Sequence, residues 1–182
     1  WAQLKDCAYQ TRNGDIDGHF PIVLLDTMLA HIARSGQKPY VFINTKHDSP
    51  CDSGDANGAY AQFAAALVEA IQRQNLADKV IVESMSAPFL KAVSVEDPSL
   101  PLLFDDEDFE RGMNVVREHN FLGLCISNGQ VTQAQVQAAH NEGFWLGIWG
   151  VRVSNDTRKA VEKGPELIMT DDLLMLRAAL KH

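Results

Sequence analysis

No apolar run in these 182 residues approaches the roughly eighteen that a membrane-spanning helix needs. No stretch gathers lysine and arginine into a cluster, and the net charge is −8. The phosphate-tracking surface of a nucleic-acid binder is therefore excluded. A small anionic substrate is not, because local charge decides that. Cysteine is scarce: Cys7, Cys51 and Cys125 are odd in number and unevenly spaced. Cys125 lies inside an apolar run and reads as a buried thiol, and a Cys7–Cys51 disulfide stays open. Internal repeats and compositional breaks are missing too, so a single domain over 1–182 is expected. The acidic stretch "HDSPCDSGDANG" has no final bidentate Glu and its spacing is not that of an EF-hand. It reads as a solvated loop ahead of a helix. The first residue is Trp1, so a trimmed or partial chain is expected; any leader would lie upstream, and the compartment is left open.

What the sequence does have is six short apolar runs: Tyr40 to Ile43, Val80 to Val82, Leu100 to Phe104, Leu122 to Ile126, Phe144 to Val151 and Leu167 to Met169. Polar alternation is missing from the last two, which predicts strands covered on both faces, as in a parallel sheet wrapped by helices. Helical patterns separate most of the runs. From Gly58 to Gln74, residues Tyr60, Phe63, Leu67 and Ile71 follow three-and-four spacing, and Asp108 to His119 repeats the pattern. A capping box, Thr132-x-x-Gln135, opens a helix that stops before Gly143. Ser154, Asn155 and Asp156 offer caps for the next helix, which ends at Gly164-Pro165, and Leu173 to Leu180 is the last. Before Tyr40 the chain reads as a loop, Thr11 to His19, and one helix, Leu24 to Ala33, with no strand. The expectation is an α/β fold with residues 1–39 as loop and helix and 40–182 as six βα units.

In such folds the chemistry sits at the carboxyl ends of the strands, and several runs end in polar residues. Lys46, followed by His47 and Asp48, ends the first and would place a cation beside a titratable neighbour. Glu83 closes "VIVES" as a ligand, a base or a partner of Lys46 on the next strand. Trp149 is a candidate pocket wall and Arg152 a planar fork for phosphate, whereas Trp145 reads as core. Asp171 anchors a strand-to-helix turn, and Asp172 caps the last helix.

Taken in order, "FPIVLLDTML", "FINTK", "VTQAQVQAAHNEGFWLGIWGV" and "GPELIMTDDL" resemble segments of the glycerophosphodiester phosphodiesterase family, a TIM-barrel family that hydrolyses glycerophosphodiesters with a divalent metal. The resemblance covers nearly the whole chain. It implies a (β/α) TIM-type barrel in which the six runs stand for the third to eighth strands, the first two not being visible. It implies a small phosphodiester substrate and a place in lipid and glycerol metabolism, with phosphate meeting Lys46 and the glycerol part lying against Trp149. Arg152 and Glu83 are further substrate-binding candidates.

Two departures accompany it. The early His-Arg-Gly, Glu-x-Asp pair and second His of the family are not found before Tyr40, so catalytic residues are unassigned. The family's metal-ligating Glu is replaced by Asn44, whose amide oxygen can ligate Mg²⁺ or Ca²⁺ but brings no charge. The expected function is metal-dependent hydrolysis of glycerophosphodiesters if the missing strands are supplied. The alternative is a non-catalytic, degenerate barrel that binds a phosphorylated ligand or a protein partner. Six strands of an eight-stranded barrel leave two open edges, so self-association, or pairing with an N-terminal segment, is expected.

Overall fold

The computed structural model describes residues 8–9, 20–35, 39–46 and 56–181. Two short strands, β1 (Ala8–Tyr9) and β2 (Phe20–Pro21), form an antiparallel pair of their own. The sequence reading expects no strand there; two residues per strand are too few to show any periodicity. Helix α1 (Leu25–Arg34) follows, and then strands and helices alternate: β3 (Val41–Thr45), α2 (Ala56–Arg73), β4 (Val80–Ser84), α3 (Ala87–Glu96), β5 (Leu102–Asp105), α4 (Phe109–His119), β6 (Gly123–Ser127), α5 (Gln133–Asn141), β7 (Trp145–Val151), α6 (Ser154–Lys163), β8 (Leu167–Thr170) and α7 (Leu173–Ala179). Each of the six expected strands is present.

Strands β3 to β8 form one parallel sheet in sequence order, each beside the next. A doubly wound sheet would reverse its order partway and place helices on both faces. Here the order never reverses. Alternate residues Val80, Val82, Leu102, Phe104, Leu124, Ile126, Leu146 and Ile148 pack with Leu67, Phe89, Met113, Val136 and Ala160 of the helices. The opposite parity, Ile81, Leu103 and Cys125, packs with Phe42, Leu122, Trp149, Leu167 and Met169, none of them helical. All the helices of the main core thus lie on one face, and the sheet curls as part of a (β/α) barrel with that second face inside.

Burial follows position in the sheet. Every residue of β4 is buried, whereas every residue of β8 is only half-buried. Among the described residues β3 and β8 each pair on one side only. Two glycines allow close approach. A Cβ at Gly123 would stand 2.0 Å from the carbonyl oxygen of Trp145 on β7, and one at Gly147 would stand 2.7 Å from Cys125 Sγ.

Helix ends explain two further differences. The Thr132–Gln135 capping box forms as expected, and Asp172 accepts a hydrogen bond from the Met175 amide. At α6, however, the N-cap is Val153, which has no side-chain cap, so none of Ser154, Asn155 and Asp156 serves. Helix α3, not visible as an apolar stripe, is started by Ser86 accepting from the Phe89 amide, with a proline in its first turn. Trp145, expected in the core, is 37% exposed where β7 begins. No helix among the described residues is long and apolar enough to cross a membrane.

Candidate functional site

Because side chains alternate along a strand, inward positions recur every two residues. On β4 they run Ile81, Glu83 and, just past the strand, Met85; on β5, Leu103, Asp105 and then Glu107. Strand β3 carries Phe42, Asn44 and, just past its end, Lys46, with Asn44 in register with Glu83. The lower layer is apolar and the upper layer polar. At the carboxyl ends of the strands the upper layer lines a cleft of about 270 Å³ formed by Asn44, Lys46, Glu83, Met85, Asp105, Glu107, Trp149 and Met169.

Two carboxyl groups meet at its base. Glu83 is 1% exposed and Asp105 5%. Burial, then the charge of Asp105 and a hydrogen bond with it, push the Glu83 carboxyl up to about 8, against the opposing pull of Lys46. At neutral pH Glu83 therefore keeps its proton and donates to Asp105. Asp105 also accepts from Trp149: the indole Nε1 lies 2.9 Å from Oδ1. On its other side, Lys46 Nζ is 3.8 Å from Oδ2. The Lys46 side chain is 60% exposed, so this long pair restrains it weakly and leaves the ammonium able to turn to an incoming anion. No N–H or hydroxyl donor among the described residues reaches the buried Glu83 Oε2.

The neighbours hold this arrangement in place. Thr45 Oγ1 donates to the Glu83 carbonyl at 2.8 Å, which ties the ends of β3 and β4 together. Asp106, next in sequence to Asp105, is taken by Arg111, whose Nε donates to Oδ2 at 2.9 Å, and by the Asp108 amide at 2.9 Å. Burial disfavours the Asp106 charge, but these bonds hold its carboxyl below the usual range. Asp106 is thus committed to the β5–α4 turn and Asp105 to the cleft. Beneath them, burial and the two nearby carboxyl groups push the Cys125 thiol well up. It stays protonated and unreactive.

A second cleft of about 200 Å³ adjoins the first and shares Trp149 and Met169 with it; Gly150, Val151, Arg152, Thr170 and Asp171 complete its lining. Its shape comes from a register shift between β7 and β8 around Gly150, whose φ is +79°, a conformation glycine adopts without strain. Arg152 Nε stands 3.5 Å from Asp171 Oδ2, both side chains being well exposed.

Of the residues singled out from sequence, Lys46, Glu83, Trp149 and Asn44 come together in the first cleft. Arg152 lies in the second. The ion partner of Lys46 is Asp105 and not Glu83. His47, Asp48, Cys7, Cys51 and most of the acidic loop lie outside the described residues. Asp105 is not among the residues singled out from sequence, although the signal that marks Lys46 and Glu83, a polar residue closing an apolar run, is also present at Phe104-Asp105.

A divalent cation needs several hard oxygen donors. Among the described residues no group of three or more His, Cys, Asp or Glu side chains is placed to hold one. Asn44 is neutral, Glu83 keeps its proton, and Asp105 faces an indole N–H and an ammonium. These residues alone do not fit a tight Mg²⁺ or Ca²⁺ site.

A protein from Silicibacter pomeroyi, described as a glycerophosphoryl diester phosphodiesterase, superposes with a TM-score of 0.79 over 90% of this chain and 57% of its own, at 23% identity. The chain has the fold of the glycerophosphodiester phosphodiesterases. A glycerophosphodiester phosphodiesterase from Parabacteroides distasonis superposes with a TM-score of 0.75 over 99% of this chain and 68% of its own, at 17% identity. An Oleispira antarctica phosphodiesterase, solved in complex with the product sn-glycerol-3-phosphate, reaches 0.63 over 70% of this chain and 52% of its own, at 15% identity. The chain thus spans little more than half the length of the first and third of these phosphodiesterases. No family model and no curated protein matches the sequence.

Proposed function

We propose that the chain belongs to a glycerophosphodiester phosphodiesterase-type barrel and that its main cleft binds the glycerol phosphate part of a glycerophosphodiester. The observation that carries this reading is the placement of Lys46 and Trp149 in one cleft, at the strand ends where (β/α) barrels hold their ligands. Lys46 supplies a loosely held ammonium for phosphate, and Trp149 an indole wall fixed by its bond to Asp105. The Oleispira phosphodiesterase of the same fold was solved with sn-glycerol-3-phosphate.

Hydrolysis asks for more than this. A base for the attacking group, an acid for the leaving alcohol and, in a metal-dependent reaction, a carboxylate cage have to come from beyond the described residues. Glu83 and Asp105 are in direct contact, so they act on one side of a phosphorus centre. An in-line displacement needs groups on both sides. The second reading, binding without hydrolysis, is favoured by Asn44, which removes a charge where the family carries one. Under either reading strands β3 and β8, each paired on one side only among the described residues, favour self-association, to be checked by light scattering across a concentration series.

The test is a ligand-induced melting shift. Glycerol phosphate is expected to raise the melting temperature of the chain by mass action, and Lys46→Met to remove most of that rise. An undiminished shift in Lys46→Met would remove the basis for the reading.

A further inference from the structure

We propose that the exposed face of α7 is the docking surface for α7 of a second copy of the chain, the two helices packing antiparallel about a two-fold axis. This goes beyond ligand binding and does not depend on it. Leu173 is 62% exposed, Leu174 77% and Leu180 61%, so a helix of seven residues and its C-cap present three leucines to solvent. Scattered exposed apolar residues are ordinary; Phe63, Val95 and Trp145 are of that kind, each on a different element. Three on one short helix form a patch. With 3.6 residues per turn, Leu180, Leu173, Arg177, Lys181, Leu174 and Ala178 follow one another round the exposed side, while Leu176 is buried. Strand β8, which leads into α7, is half-buried throughout and pairs on one side only among the described residues.

The pattern of charge selects the occupant. Asp171 and Asp172 stand at the amino end of the helix, Arg177 in its last turn and Lys181 just past its carboxyl end. A parallel neighbour of the same sequence would set like charges side by side. An antiparallel one brings the acidic end of each helix to the basic end of the other. Across a two-fold axis each contact occurs twice, i against j and j against i. With the axis level with Leu176, Asp171 of one copy lies opposite Lys181 of the other, and Leu174 opposite Ala178, a large side chain against a small one. Leu173 then lies near Leu180 of the other copy. Within its own chain Asp171 meets Arg152 at 3.5 Å with both side chains in solvent, a pair too weak to hold it. Helix α1 exposes Met28, with Val23 and Leu24 ahead of it, but its first-turn acid, Asp26, is already engaged by Arg73. An interface centred on one short helix buries less than the roughly 800 Å² per partner of a standard complex, so a dissociation constant on the order of tens of micromolar is expected.

The experiment is sedimentation velocity of the full chain across a micromolar concentration series, with reductant present and no ligand added. The wild type is expected to pass from monomer to dimer as concentration rises. Leu174→Glu, a change at an exposed position that should leave the melting temperature almost unmoved, is expected to weaken the dimer at least about tenfold. Asp171→Lys and Lys181→Asp should each weaken it about threefold or more at low salt. The double variant Asp171→Lys/Lys181→Asp restores opposite charges across the axis and should return to within about twofold of the wild type. A wild type that stays monomeric throughout overturns the inference. So does a Leu174→Glu variant that dimerises as the wild type does, since the contact would then lie at the strand edges. A double variant no tighter than the single ones rules out the antiparallel register and overturns it as well.

Discussion

The two clefts at the strand ends share Trp149 and Met169, yet their polar residues are held in opposite ways. In the first, Glu83 and Asp105 are almost wholly buried and bonded to each other, with Trp149 as a third member. In the second, Arg152 and Asp171 meet at 3.5 Å with both side chains in solvent. Burial makes every bond of the first set consequential, since a lost partner strands a polar group away from water. Water replaces any partner lost from the second. The first cleft is therefore pre-organised around a fixed acceptor. The second is a flexible margin that adds charge without defining geometry.

The strongest way to break this contrast is Asp105→Ala. It removes the acceptor of the Trp149 indole and the partner of Glu83 together, and it opens a small void above Cys125. Two polar groups stranded at about 1–3 kcal/mol each, offset by relaxation and water entry, give an expected loss of about 3 kcal/mol in urea unfolding. Asp105→Asn keeps an acceptor for the indole and should lose less than half as much. If Asp105→Ala unfolds at the wild-type urea concentration, the buried set is not what fixes the cleft.

Much of this architecture was legible in the sequence, and the exceptions have physical causes. The six strands show because each carries a short apolar run, and the central strands β4 and β5 are buried throughout. Lys46 and Glu83 show because a polar residue at the end of such a run has to point somewhere, and strand ends lie at the rim. Asp105 obeys the same rule but opens the acidic stretch Asp105-Asp106-Glu107-Asp108, which looks like solvated loop. Only the fold reveals that Asp106 turns to Arg111 while Asp105 meets an indole forty-four residues further on. Helix α3 was hidden because the sequence "APFLKAVSVE" is apolar on more than one side. Its start signals, Ser86 and the proline two residues later, were readable nonetheless. Trp145 misled because a large aromatic in an apolar run reads as core, whereas it opens β7 at the solvent-facing end.

A smaller effect, confined to the first cleft, is the pH dependence carried by Glu83. Its carboxyl is raised to about 8 in the folded chain, whereas in the unfolded chain it returns to the ordinary glutamate range. The folded state then binds the proton more tightly. Its contribution to stability is complete below the unfolded pKa and is lost as pH rises through the folded one. Thermal melts should show stability falling between about pH 5 and pH 8, and Glu83→Gln, which cannot ionise, should flatten that fall. Parallel wild-type and variant profiles would mean that Glu83 ionises in the folded chain as it does in water.

The smallest effect belongs to the second cleft and sharpens the contrast from the other side. Arg152→Ala removes an exposed partner from Asp171, and exposed pairs of this kind are worth about 0–1 kcal/mol. Both side chains regain water on separation, so the change in unfolding free energy should stay within about 0.5 kcal/mol. The fork of Arg152 nevertheless stands in the cleft that shares Trp149 with the main one, and its charge acts at a distance on an incoming phosphate. Removing it should weaken glycerol phosphate binding by no more than about threefold at low salt, and the difference should fade near physiological ionic strength, where the screening length is about 8 Å. Calorimetry at two salt concentrations separates this from direct contact. A loss of more than tenfold that persists in high salt would place Arg152 on the phosphate itself, and the second cleft would then have to be counted as part of the binding site.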